Sequence, residues 1–177
     1  TLHLTWIAFF LTFVVWFNLA PLATTVKADL GLTVGQIRTV AICNVALTIP
    51  ARVLIGMLLD KFGPRITYSS ILVFSAIPCL LFASAQDFNQ LVVARLLLSI
   101  VGAGFVIGIR MVAEWFPPKE IGLAEGIYGG WGNFGSAFSA LTMVALAGFL
   151  SFSGGFELPT GAVLNWRGAI SLTGIAV

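Results

Sequence analysis

Charge is the scarcest ingredient of this chain. Only 9% of its 177 residues are Asp, Glu, Lys or Arg, against about a quarter in a soluble domain, so a water-facing globular surface cannot be covered. The net charge is +2, with no basic cluster beyond Lys61 and Arg65, which argues against nucleic acid as a partner. His3 is the single histidine, and the two cysteines, Cys43 and Cys79, stand alone inside apolar runs. Neither they nor the carboxylates have metal-ligand or catalytic spacing, so no enzyme, metal or cofactor is expected. The cysteines read as small hydrophobes. The chain opens at Thr1 without the basic segment of a signal peptide, and the native N-terminus is expected upstream.

What is abundant is apolar sequence. Hydrophobic residues make up 59% of the chain and the mean hydropathy is +1.04, values that place it in a membrane. A transmembrane helix needs about 20 apolar residues to cross a core of about 30 Å. Five such runs are predicted near 4–25, 35–59, 66–85, 89–115 and 121–149. They are twice the length of a barrel strand and lack strict alternation, so the expected fold is all-α and polytopic. The stretch from Ser151 to Trp166, with Pro159, reads as a longer exposed loop. A further run starts near 168 and stops at Val177, about 15 Å into a helix. The sixth helix is therefore expected to be truncated, and the chain to be a fragment. Basic residues tie across the two sides, with Lys61, Arg65 and Lys119 against Lys27, Arg38 and Arg167, so charge alone does not orient it.

The segment Gly129-Gly130-Trp131-Gly132-Asn133-Phe134-Gly135 puts four glycines and one amide inside an apolar run. Each glycine costs a helix interior roughly 1 kcal/mol against alanine. A phosphate-cradling turn, a close helix contact and a backbone face open to a solute are the competing explanations. The dinucleotide fingerprint needs a preceding strand and a later acidic partner, and neither is present. Gly122, Gly126 and Gly130 repeat at the four-residue spacing that lets membrane helices approach, and are expected to be packing positions. Gly132, Asn133 and Gly135 resist that explanation, since an amide buried in a membrane must find partners.

Arg52 lies eight residues before Asp60, about 12 Å deep if Asp60 ends its helix. A cation at that depth costs at least about 2.5–3.5 kcal/mol, and such residues usually face a polar cavity. Asn133 falls eight residues beyond Glu125, at matching depth. Phe13, Trp16 and Phe105 would add aromatic faces. Guanidinium, amide, glycine backbone and ring together would suit a small planar anion. Arg110 and Glu114 can pair at i, i+4, and Arg95 is read as a packing or gating residue rather than a substrate contact.

Gly56-Met57-Leu58-Leu59-Asp60-Lys61-Phe62-Gly63-Pro64-Arg65 resembles the loop between helices two and three of the major facilitator superfamily. Arg95 followed by Gly102 loosely resembles its fourth-helix arginine motif. The glycine segment, with Ala51-Arg52-Val53 and Gly102-Ala103-Gly104-Phe105, resembles the nitrate/nitrite porter family of that superfamily, especially its members from cyanobacteria, algae and plants. The resemblance implies the N-terminal six-helix bundle of a twelve-helix transporter in the plasma (inner) membrane, working by alternating access, with its C-terminal half missing here. It implies that the 60–65 and 117–120 loops are cytoplasmic and that Gly56, Asp60, Lys61, Gly63 and Arg65 form a conformational motif. Arg52, with a second arginine beyond this chain, would clamp nitrate or nitrite, with Phe105, Asn133, Gly132 and Gly135 beside it. Protons are a candidate coupling ion, and the lipid bilayer is the other partner. Two alternatives stay open: a transporter of the same fold for another small or organic anion, and a membrane sensor or scaffold without turnover.

Overall fold

A computed structural model describes residues 2–157 and 163–176. Its helices are α1 (Leu2–Trp16), α2 (Ala23–Asp29), α3 (Val34–Ala46), α4 (Thr48–Ser84), α5 (Phe88–Ser99), α6 (Gly104–Trp115), α7 (Ile121–Phe149) and α8 (Trp166–Ala176). By chain continuity they give, among the described residues, four stretches long and apolar enough to cross a membrane: Leu2–Asp29, Val34–Ser84, Phe88–Trp115 and Ile121–Phe152. The second holds 51 residues, about 76 Å if straight and more than twice the hydrocarbon thickness. It doubles back at Gly63, where φ is 77° and ψ is 168°. A residue without Cβ takes that left-handed φ at no steric cost, and the fixed φ of Pro64 starts the returning arm. Ile55 and Phe74 line one groove, although nineteen positions would set them about 28 Å apart on a straight helix. The expected second and third helices are therefore α3 with the first arm of α4, and the second arm of α4.

Three crossings are interrupted. In the first, α1 ends at Trp16 and a turn leads to a 3₁₀ helix at Ala20–Leu22. In the second, α3 stops at Ala46 before α4 begins at Thr48. Pro21 and Pro50 explain these sites, because a proline ring crowds the carbonyl four residues earlier and offers it no N–H. Those carbonyls belong to Phe17 and Ala46. In the fourth crossing a 3₁₀ stretch, Ile100–Ala103, separates α5 from α6.

The Phe17 carbonyl accepts the Ala20 N–H locally at 3.2 Å, and neighbouring groups at these breaks are tied across helices. The Trp16 indole N–H donates to the Asn44 carbonyl at 2.7 Å, and the Asn44 side-chain amide donates to the Trp16 carbonyl at 3.0 Å. The Leu47 N–H donates to the Ser99 hydroxyl at 3.2 Å, and the Thr48 hydroxyl donates to the Ser99 carbonyl at 3.0 Å. Low polarity makes each such tie costly to lose.

At the other end of the bundle, two-residue strands β1 (Phe156–Glu157) and β2 (Val163–Leu164) pair antiparallel, Phe156 with Leu164 and Glu157 with Val163. They fall within the expected 151–166 loop, whose Pro159 lies outside the described residues. The α8 helix then packs against the second arm of α4, anchored by Arg167. Its guanidinium donates to the Ala83 and Ala85 carbonyls at 2.8 and 2.6 Å, which caps the end of α4 with a cation.

Candidate functional site

The glycine segment sits on α7, and α1 lies against it. A Cβ on Gly132 would enter the Phe9 ring, and one on Gly135 would meet the Phe10 carbonyl. Both glycines are buried. Their missing side chains let the two helices close, so the tight approach is at Gly132 and Gly135. Gly122, Gly126 and Gly130 face open space instead, with nothing among the described residues within 4 Å of an added Cβ. Among the described residues the close contact therefore lies at Gly132 and Gly135, while the face expected to pack is open. The four-residue spacing correctly places the first three on one face, but that face meets no helix here. It forms the floor of an open groove of about 600 Å³, walled by Trp131 and Phe134.

Phe9, above Gly132, stacks on Tyr128 at 4.8 Å between centroids and lies 5.3 Å from Phe105. Phe105 is half-buried in this cluster, and its carbonyl accepts the Tyr128 hydroxyl at 3.1 Å. Phe13 and Trp16 touch edge to face at 5.3 Å. The structure thus joins Phe105 to Gly132 through Phe9. Among the described residues it gives neither Arg52 nor Asn133 a bond to that cluster or to the other.

Asn133 is exposed, and its amide donates to the Gly129 carbonyl of its own helix at 2.7 Å. Its side-chain oxygen has no partner among the described residues. Arg52, one position after the buried Ala51, is exposed and makes no ion pair or hydrogen bond among the described residues. The other two intramembrane arginines contrast with it. Arg110 bonds Asp60 at 2.6 Å and Glu114 at 2.8 Å, joining α6 to the first arm of α4. The i, i+4 pair was expected; the link to Asp60, fifty residues away, was not.

Arg95 is fully buried. Its guanidinium donates to the Asn18 side-chain oxygen at 2.8 Å and the Asn44 oxygen at 3.3 Å, and lies 4.1 Å from the Phe82 ring centroid. Its Nε has no partner among the described residues. Asn18 in turn donates to Thr173 of α8 at 3.3 Å. Sequence reasoning missed Asn18 and Asn44, although the signal that marked Asn133, an amide within an apolar run, marks them too.

The conformational-motif residues occupy the Gly63 reversal. Gly56 and Gly63 each have open space where a Cβ would go. Asp60 is spent on Arg110, while Lys61 and Arg65 are exposed and make no ion pair among the described residues.

Comparison with known proteins gives this geometry its setting. A family profile for the Major Facilitator Superfamily matches residues 5–177. The nitrate/nitrite transporter NrtP of Picosynechococcus sp. is 63% identical over 98% of this chain and 35% of its own length. The NrtP of Nostoc punctiforme is 62% identical over 98% of this chain and 34% of its own. A probable nitrate/nitrite antiporter, NarK1 of Thermus thermophilus, is 32% identical over 94% of this chain and 37% of its own. The chain thus spans about a third of the length of these relatives. A crystal structure of a bacterial homologue of the human lysosomal transporter Spinster, inward-facing and occupied, superimposes with a TM-score of 0.74. It covers 98% of this chain and 40% of that one at 20% identity, a likeness of fold alone.

Proposed function

The chain belongs to the major facilitator superfamily, in its nitrate/nitrite porter family, and on that premise we propose that it is part of a secondary transporter that carries nitrate and nitrite across a membrane by alternating access. The observation that carries the site assignment is Arg52, the one of the three intramembrane arginines left without a partner among the described residues. A cation held in an apolar region without a carboxylate attracts an anion, and the guanidinium fork matches two oxygens of a planar one. Asn133 joins it as the second polar group, since rotation away from the Gly129 carbonyl frees its amide to donate.

The glycines take a different part from direct contact. Gly132 and Gly135 seat α1 on α7 and so fix Phe9, Phe13 and Phe105 at the edge of the site. In this reading the 60–65 and 117–120 loops face the cytoplasm from the inner membrane. The NarK1 relative is named a probable antiporter, which favours exchange as the mode of coupling.

Uptake of labelled nitrate by the full-length protein in proteoliposomes tests this. Arg52→Lys keeps the charge and loses the fork, and is expected to raise the KM for nitrate roughly tenfold or more. Asn133→Ala should raise it less. Normal transport by both variants would overturn the site. A requirement for nitrite inside the vesicle assigns exchange, whereas uptake driven by a pH gradient alone assigns proton symport.

A further inference from the structure

Two clefts meet where α4 doubles back. The first, of about 450 Å³, runs between the arms of α4 over Ile55, Leu58, Phe62, Ile66 and Phe74, with Ile100 at its base. The second, of about 460 Å³, continues from Phe62 and Ile66 to Arg65, Glu114 and Trp115. Their shared walls, Phe62 and Ile66, are 49% and 60% exposed, so the paired cleft opens sideways rather than into the bundle. One part is almost wholly apolar and the other ends in charge and indole.

The charge at the junction is net positive. Asp60 and Glu114 are both bonded to Arg110 at 2.6 and 2.8 Å, and the three together carry −1 against the +2 of Lys61 and Arg65. The Lys61 ammonium stands 5.2 Å from the Phe62 ring centroid, over the wall common to both clefts. Arg65 lines the second cleft. Neither cation makes an ion pair among the described residues. Trp115, 58% exposed, is the amphipathic ring that settles at headgroup level. The Ser70 hydroxyl, in the apolar cleft, is exposed and has no partner among the described residues.

We propose that this paired cleft is a binding site for one anionic phospholipid, whose phosphate lies between Lys61 and Arg65 and whose acyl chain fills the groove between the arms of α4. An apolar cleft with a basic mouth at the membrane surface selects a ligand with both parts. A free anion would gain nothing from the groove, and a neutral lipid would leave the two cations unanswered. The lipid bridges the two arms across Gly63, so its occupancy bears on the reversal that the Asp60–Arg110 bond also holds. The site draws on the membrane fold alone and is independent of which anion the protein transports.

The test uses the full-length protein in nanodiscs of phosphatidylcholine with graded phosphatidylglycerol, released into mild detergent and weighed by native mass spectrometry. The wild type is expected to retain phosphatidylglycerol in excess over phosphatidylcholine. Lys61→Gln with Arg65→Gln should cut that preference roughly thirtyfold, from about 1 kcal/mol per basic residue. Ser70→Phe fills the groove and leaves the charges in place, so it should lower retention even if the double variant fails to fold. Inorganic phosphate and glycerol 3-phosphate should not displace the lipid. Retention that survives Ser70→Phe, displacement by phosphate alone, or no excess in the full-length protein because its remaining helices cover the groove would each overturn the proposal.

Discussion

The surroundings of α1 and the open surfaces of α4 and α7 use the same three residue types to opposite ends. Near α1, Arg95 is wrapped by Asn18, Asn44 and Phe82, Asn44 is tied to Trp16, and Gly132 is filled by Phe9. On the open surfaces, among the described residues, Arg52 has no partner, Asn133 bonds only its own helix, and Gly126 faces space. An arginine, an asparagine or a glycine in a membrane helix is therefore not functional by type or by depth. What its own bundle supplies decides whether it holds the fold or waits for something else.

The arginines offer the sharpest way to break this contrast. Arg95→Ala would leave a cavity and deprive the side-chain oxygens of buried Asn18 and half-buried Asn44 of their donor, and is expected to cost about 3 kcal/mol or more of stability, read as a lower melting temperature. Arg52→Ala should leave melting within about 0.5 kcal/mol of wild type while abolishing nitrate uptake. Equal melting losses in the two variants would erase the distinction between holding and waiting.

The glycines give the next effect, with opposite signs. Gly132→Ala drives a methyl into Phe9 and must push α1 off α7, an overpacking cost of about 1–3 kcal/mol. Gly126→Ala meets nothing within this bundle and should stabilise by up to about 1 kcal/mol through helix propensity. If the full-length protein loses stability or transport with Gly126→Ala, then a helix beyond this chain packs on that face.

How far the sequence could be read follows the same divide. Lengths of apolar sequence located the crossings, since hydrocarbon thickness fixes them independently of neighbours. The Gly63–Pro64 reversal and the Arg110–Glu114 pair were legible because both are local. The helix breaks could have been found four residues before Pro21 and Pro50, a rule the hydropathy runs concealed. Partners across the bundle were not legible. Asp60 for Arg110 and Asn18 for Arg95 depend on how helices face one another, and periodicity shows only which residues share a face. For that reason the spacing points to Gly122, Gly126 and Gly130 as packing positions, whereas among the described residues the close contact lies at Gly132 and Gly135.

The asparagines set the finest test, because both amides donate to a backbone carbonyl, one across helices and one within its own helix. Asn44 donates to the Trp16 carbonyl, which the break after α1 leaves free, and accepts from Arg95. Asn44→Ala strands both, so thermal melting should fall by about 1–2 kcal/mol. Asn133 donates to a carbonyl in its own helix that already has a helical role. Asn133→Ala therefore removes a redundant bond and adds helix propensity, and its melting should equal or slightly exceed that of wild type. Its nitrate KM should rise all the same. A variant that is no less stable yet transports worse separates the amide from the fold, because a residue kept for packing would lose both together.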